Sequence, residues 1–249
     1  MIEPDIFIPF IIIIAFATYV QTVTGFALAM IVMGAVTSLE LAPMAFTSVI
    51  ISAVAVINGL TALKGNFSFL DVRRVAITCL GILPGVVLGL FLLNYMSAAF
   101  NSWLQILLGG TIISAGMMMM LKPEPLDKPS SSLTFAVCGA AGGLLAGLFS
   151  IAGPPLVYVF YRQPFELKTI RLCLMSLFLV SSIGRISIVG AQGDLTLDML
   201  IVSLACTPAV MFFTWLGKHF PPPFSPKTMR QLAFLLLMII GVILIIKNI

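Results

Sequence analysis

Two short runs of small and hydroxyl residues interrupt otherwise apolar stretches: Gln21-Thr22-Val23-Thr24-Gly25 and Ser150-Ile151-Ala152-Gly153-Pro154-Pro155. Glycine frees the backbone and proline removes a helix donor, so each run predicts a break in a helix. A helix that restarts at a break presents unpaired N–H groups and about half a positive charge. That arrangement binds anions. The hydroxyls of Thr22, Thr24 and Ser150 could donate in addition, and Gly25 and Gly153 would let a ligand approach the backbone. Pro154 marks the second restart. The alternative reading is that these small residues only permit close helix packing. Arg185 lies deep in another apolar stretch, Ser181-Ser182-Ile183-Gly184-Arg185-Ile186-Ser187. A charge there is costly in lipid and should face a cavity or a partner. No acidic residue falls within a predicted crossing, so a mobile anion is the expected counter-charge. Snorkelling past Gly193 to the surface is the alternative. Gln21, Ser48, Asn58 and Ser176 could hydrogen-bond a polar ligand, or tie helices together.

The elements that must position these residues are membrane helices. The chain has 249 residues, 60% hydrophobic and 9% charged. That leaves too little polar surface for a water-facing globule, which carries about 25% charged residues. Eight apolar blocks follow one another at about 6–35, 41–63, 73–95, 102–121, 132–161, 168–190, 197–217 and 229–247. Each is long enough to cross a hydrocarbon core of about 30 Å. The most polar stretch, 122–131, divides the chain into a first repeat, 1–121, and a second, 132–249. A shift of 128 residues lays Thr22-Val23-Thr24-Gly25 over Ser150-Ile151-Ala152-Gly153. It also lays Ser48 over Ser176, and Gly65-Asn66-Phe67-Ser68-Phe69 over Gly193-Asp194-Leu195-Thr196-Leu197. A small slip matches Pro84 to Pro208 and Phe100 to Phe224. Weak internal repeats are common in secondary transporters.

Charge chooses the topology. If all eight blocks cross, Lys and Arg divide six against six. That violates the cytoplasmic excess of basic residues. If blocks one and five enter and leave on one side, the division becomes eleven against one, with only Lys247 on the outer side. Glu3, Asp5, Glu40, Asp194 and Asp198 then gather outside. Blocks one and five are also about 30 residues long, or roughly 45 Å of straight helix, which exceeds the membrane core. The expected fold class is all-α. It is a transmembrane bundle of two inverted-topology repeats, each a broken helical hairpin plus three transmembrane helices. Each hairpin arm has about 13 residues, the tips meet near the midplane, and both termini are periplasmic. Two long, tilted and kinked helices are the competing reading.

Other chemistries find little support. The net charge of +4 reflects basic loops, not a nucleic-acid surface. The four cysteines are scattered in apolar blocks without a CxxC, and no His/Cys/Asp cluster suggests a metal. His219 stands at a loop edge. No GxxxxGK[ST] implies an ATP motor. The N-terminus lacks the positive start of a secretory signal, so the first block is expected to stay in the mature chain. No cofactor and no enzymatic activity are expected.

The passage Gly139-Ala140-Ala141-Gly142-Gly143 through Gly147-Leu148-Phe149-Ser150-Ile151-Ala152-Gly153-Pro154-Pro155 resembles the second signature of the sulfite exporter TauE/SafE family. Gln21-Thr22-Val23-Thr24-Gly25-Phe26 fits the first half, and Arg171 with the Ser182–Ser187 segment fits the helix after the signature. The sequence departs where Ala27, Leu28 and Ala152 replace glycines frequent in the family. The resemblance implies a carrier in the bacterial inner membrane for small sulfur-containing or organic anions, such as sulfite, thiosulfate or sulfoacetate. It implies transport driven by a proton or ion gradient. An anion channel with the same lining is the alternative.

Overall fold

The computed structural model describes residues 4–65, 69–120, 126–220 and 226–248. Within them the chain forms ten helices and no strand. The first long block gives α1 (Pro4–Thr24) and α2 (Leu28–Ser38); the fifth gives α6 (Ser132–Phe149) and α7 (Gly153–Tyr161). The remaining blocks give α3 (Met44–Leu63), α4 (Val72–Ala99), α5 (Asn101–Met120), α8 (Leu167–Gln192), α9 (Leu197–His219) and α10 (Pro226–Asn248). Helices α1, α3, α4, α6, α8 and α9 are long and apolar enough to cross a membrane, while α5 and α10 carry shorter apolar stretches. Asp71, Ser131 and Thr196 cap the N-termini of α4, α6 and α9, each accepting from the amide three residues on. Polar loop residues thus start the helices whose bodies are apolar. Parts of the expected linker and the Asn66–Ser68 and Phe224 matches lie outside the described residues.

Contacts at the helix ends fix the direction of each element. At one end of the bundle Lys218 Nζ donates to Thr61 O at 3.1 Å. There too, Lys168 lies 3.5 Å over the Phe69 ring, Arg74 covers Phe165, and Ser130 N–H donates to Gln163 Oε1. This is the basic end. At the far end Lys247 Nζ donates to Glu40 Oε1 at 2.6 Å and to Ser38 O at 3.1 Å. Helix α1 runs toward the basic end, because Tyr19 donates to Phe220 O and Thr22 packs on Gly217. Helix α2 turns back, because Gly34 packs on Ile240 and Ser38 reaches Lys247. Helix α6 starts beside Gln163 and ends beside Ser48, near the start of α3; α7 then returns to Gln163. The two helix pairs are hairpins that point in opposite directions.

The arms differ from the expected equal halves of about 13 residues. They have 21 and 11 residues in the first hairpin, 18 and 9 in the second. The first arms continue until a residue with positive φ ends them, so the ends of α1 and α6 run past one another along α3. Thr22 lies level with Asn58, toward the end of α3, and Ser150 level with Ser48 and Ser52, toward its start. The two breaks are also offset by 125 residues, not 128: α1 ends at Thr24 and α6 at Phe149, and α2 and α7 begin at Leu28 and Gly153. Gly25, not Thr22, is therefore the counterpart of Ser150.

Packing is densest between α4 and α6. Gly81, Gly85 and Gly89 of α4 face Gly139, Gly143 and Gly147 of α6, and a Cβ built at any of the six would overlap backbone of the other helix. In lipid, where burial of apolar surface gives helices no net attraction, such close approach supplies dispersion contact. Other principal pairings are α5 on α10, α3 on α8, α1 on α9, α3 on α9 and α4 on α8.

The Glu40–Lys247 pair is exposed. Lys247 lowers the Glu40 carboxyl from its ordinary range, first by hydrogen bonding and then by its charge. With a depressed folded value, any stabilisation is present above the unfolded pKa and is lost as pH falls through the folded one. Surface pairs of this kind contribute little. Glu40→Gln is expected to leave the unfolding temperature in detergent unchanged at neutral pH, as a thermal melt would show.

Candidate functional site

The first break is held by a closed set of neutral hydrogen bonds. Gly25 has φ +89° and Ala27 φ +94°; the latter is a conformation uncommon for a residue with a side chain. Gln21 spans the break. Its Oε1 accepts from Leu28 N–H at 3.2 Å, at the start of α2, and its Nε2 donates to Asn58 Oδ1 at 3.0 Å. Asn58 Nδ2 donates in turn to Thr22 Oγ1 at 3.1 Å and Thr214 Oγ1 at 2.8 Å. Asn58 is fully buried, and these bonds satisfy its side chain.

The second break is held by a cation. Ser150, φ +58°, donates from Oγ to Ser48 O at 2.8 Å and lies 3.0 Å from Ser52 Oγ. One turn back, the guanidinium of Arg185 donates to Ala146 O at 2.7 Å, to Gly147 O and to Ser48 Oγ at 2.6 Å. Arg185 is 2% exposed, which overturns the snorkelling alternative. Its contacts are the last-turn carbonyls of α6, where a helix dipole favours positive charge. Asn58 and Arg185 therefore brace the ends of α1 and α6, one with an amide and the other with a charge.

Between the breaks lies a small cavity, with about 30 Å³ of room for water-sized groups. The first break contributes Gln21 and Ala27–Met30, and the second Ser150–Gly153. Ala55 of α3 and Phe178, Ser181 and Ser182 of α8 close the walls, all near the middles of those helices. Ala27, which precedes α2, makes no side-chain cap, and Gln21 takes only the Leu28 amide, so the Ala29 and Met30 amides have no intrahelical partner. The first turn of α7 is poorer in donors, because Pro154 and Pro155 carry no N–H; Gly153 supplies the amide there. Ser181 Oγ donates to Phe178 O at 3.0 Å, whereas the Ser182 hydroxyl has no partner among the described residues. Amides and a hydroxyl without a carboxylate beside them are the donor set that an anion requires.

Of the residues singled out in the sequence, Gln21, Ser150 and Gly153 line the cavity. Thr22, Thr24 and Ser176 do not: their hydroxyls donate to Thr18 O, to Val20 O or Phe26 O, and to Leu172 O. A threonine or serine in an apolar helix finds the carbonyl four residues back more readily than a ligand. Ser48, Asn58 and Arg185 stand behind the lining as braces, Pro154 is buried in α7, and Gly25 lies outside the lining. Sequence reasoning missed Ser181, Ser182 and Phe178 as lining residues. The signal available was their position one turn (Ser181, Ser182) and two turns (Phe178) before Arg185 on α8. The same reasoning counted Arg171 among the basic residues and fitted it to the helix after the second signature, without placing it at the first break. Arg171 covers the tip of the first hairpin, and a Cβ at Gly25 would come within 3.0 Å of its Cγ. Beside it, Tyr161 O–H donates to Thr24 O at 3.3 Å.

The site sits in a chain with clear relatives. The model of the family described as sulfite exporter TauE/SafE matches residues 10–244. A probable sulfite/organosulfonate exporter TauE from Cupriavidus necator is 44% identical over 232 residues, which covers 93% of this chain and 91% of the relative. No solved structure matches the chain. The match extends through both hairpins and every helix packed on them, and it agrees with the resemblance carried by the glycine-rich run and the Gly-Pro-Pro break. This chain belongs to the sulfite exporter TauE/SafE family of multi-pass membrane transporters.

Proposed function

We propose that the protein is a secondary transporter that exports small sulfur oxyanions, sulfite or organosulfonates, across the bacterial inner membrane by alternating access. The substrate binds in the cavity between the two helix breaks. The observation that carries this reading is the lining itself. The α2 amides, the Gly153 amide and the Ser182 hydroxyl converge at mid-membrane level, and no acidic side chain lines the cavity among the described residues. Gln21 and Ser150 complete the polar surface, and Arg171 guides anions toward the tip of the first hairpin. The printed function of the Cupriavidus relative points to the same substrate class.

The two halves, 1–121 and 132–249 joined by 122–131, act as inverted repeats in this reading. Exchanging them carries the pairing of α4 with α6 onto that of α9 with α1, and the pairing of α3 with α9 onto that of α8 with α4. The α3–α8 and α5–α10 pairings map onto themselves. With the basic end cytoplasmic, both termini are periplasmic. Labelling of Gly65→Cys and Asp194→Cys in intact cells tests this. Reaction of Asp194→Cys alone is expected, and reaction of both from outside contradicts it.

Counterflow of radiolabelled sulfite and sulfoacetate in proteoliposomes tests the function. Saturable counterflow of at least one of them is expected, whereas unsaturable conductance marks a channel. Gln21→Leu removes the Leu28 N–H acceptor and the bond to Asn58, each worth about 1 kcal/mol. It is expected to reduce that counterflow several-fold while the protein remains folded.

A further inference from the structure

We infer that transport moves net negative charge driven by the membrane potential, with Arg185 serving as a fixed cation where a co-transported one would otherwise sit. The inference rests on the proposed transport function and concerns what drives it. Broken helices in membranes can use their C-terminal carbonyls to coordinate a mobile cation. Here several of the carbonyls at both breaks are already engaged by the protein's own donors. At the end of α6, Ala146 O and Gly147 O accept from Arg185. At the end of α1, Gln21 O accepts from Gly25 N–H, Val20 O and Phe26 O share the Thr24 hydroxyl, and Thr24 O accepts from Tyr161.

No group in the lining can carry a proton at physiological pH. The side chains there are apolar, serine or the amide of Gln21. Of the nine carboxylates of the sequence, Asp5, Glu40, Asp71, Asp127, Glu166, Asp194 and Asp198 fall in loops, at caps or in the first turn of a helix, and Glu3 and Glu124 lie outside the described residues. The single histidine, His219, ends α9. The titratable groups on the surrounding helices α1, α2, α3, α6, α7 and α8 are Asp5, Tyr19, Cys138, Tyr158, Tyr161, Lys168, Arg171, Cys173 and Arg185, none of them in the lining. The protein therefore contributes the same fixed charge whether the site is loaded or empty, and the substrate's own charge is what crosses. An inside-negative potential then drives anions outward. At 100 mV the energy is about 2.3 kcal/mol per charge, or about a fiftyfold gradient for a monovalent anion.

The test uses the wild-type protein in proteoliposomes. Counterflow first establishes that sulfite or sulfoacetate is carried; its absence counts against the proposed function and not against this inference. The exchanging anion is then followed under potassium diffusion potentials set with valinomycin. An inside-positive potential is expected to drive accumulation and an inside-negative one to drive release, in sodium-free medium without a pH gradient. With the potential clamped at zero, a sodium gradient is expected to drive none. A pH gradient, applied with the fully ionised sulfoacetate, is also expected to drive none. Accumulation under either gradient at zero potential, or net uptake and release indifferent to the potential, overturns the inference.

Discussion

Replacing Arg185 with glutamine is expected to lower stability in detergent by about 3 kcal/mol or more and to reduce flux at least tenfold. The guanidinium makes three hydrogen bonds, two of them to buried carbonyls in the last turn of α6 and one to Ser48. Bonds to a charged group are worth about 1.5–3 kcal/mol each, and a buried acceptor left unmatched adds its own desolvation cost. Glutamine is shorter and neutral, so it recovers at most one of the three. The flux falls because Ser48 also receives Ser150 through its backbone oxygen, and Ser150 lines the cavity. Arg185→Lys keeps the charge but not the planar fork, and should fall between the two. A thermal melt alongside counterflow separates the brace from the site. Unchanged stability in Arg185→Gln would mean that the contacts to α6 are not what holds the break.

The second large effect belongs to the α4–α6 crossing. A side chain at Gly143 would overlap Ile82 O, and one at Gly85 would overlap Ala140 O. Both obstacles are backbone, so neither can rotate aside, and the helices must separate along their whole contact. Overpacking ordinarily costs about 1–3 kcal/mol. A β-branched residue here, as in Gly143→Val, should exceed that range, since neighbouring glycine pairs lose contact together. Loss of monodisperse protein on size-exclusion chromatography is the expected outcome. Gly110→Ala is the matched control, since a Cβ at Gly110 meets nothing within 4 Å.

The helices were legible because apolar block length and Gly/Pro punctuation are local properties. The expected inversion of the hairpins rests on loop charge, a sum over the chain that no single residue carries. What was not legible depended on who bonds to whom. Thr22, Thr24 and Ser176 have the chemistry of ligands, yet in the fold each satisfies a carbonyl of its own turn or the turn beside it. Arg185 was identified as a charge needing a partner, but its partners lie 38, 39 and 137 residues away. The repeat register slipped by three residues because apolar segments align at many offsets. Only the positive φ of Gly25 and Ser150 pins the two breaks to each other. The overlap of the α1 and α6 ends follows from first arms that run on to Thr24 and Phe149.

The central claim is that the substrate passes between the two breaks, against Ser182. The measurement that tests it most directly is thiol blocking of Ser182→Cys in a background where Cys79, Cys138, Cys173 and Cys206 are replaced by alanine. Modification with a small methanethiosulfonate is expected to abolish sulfite counterflow, and sulfite present during the reaction should slow the modification. Full counterflow after complete modification, with no protection by sulfite, would contradict it.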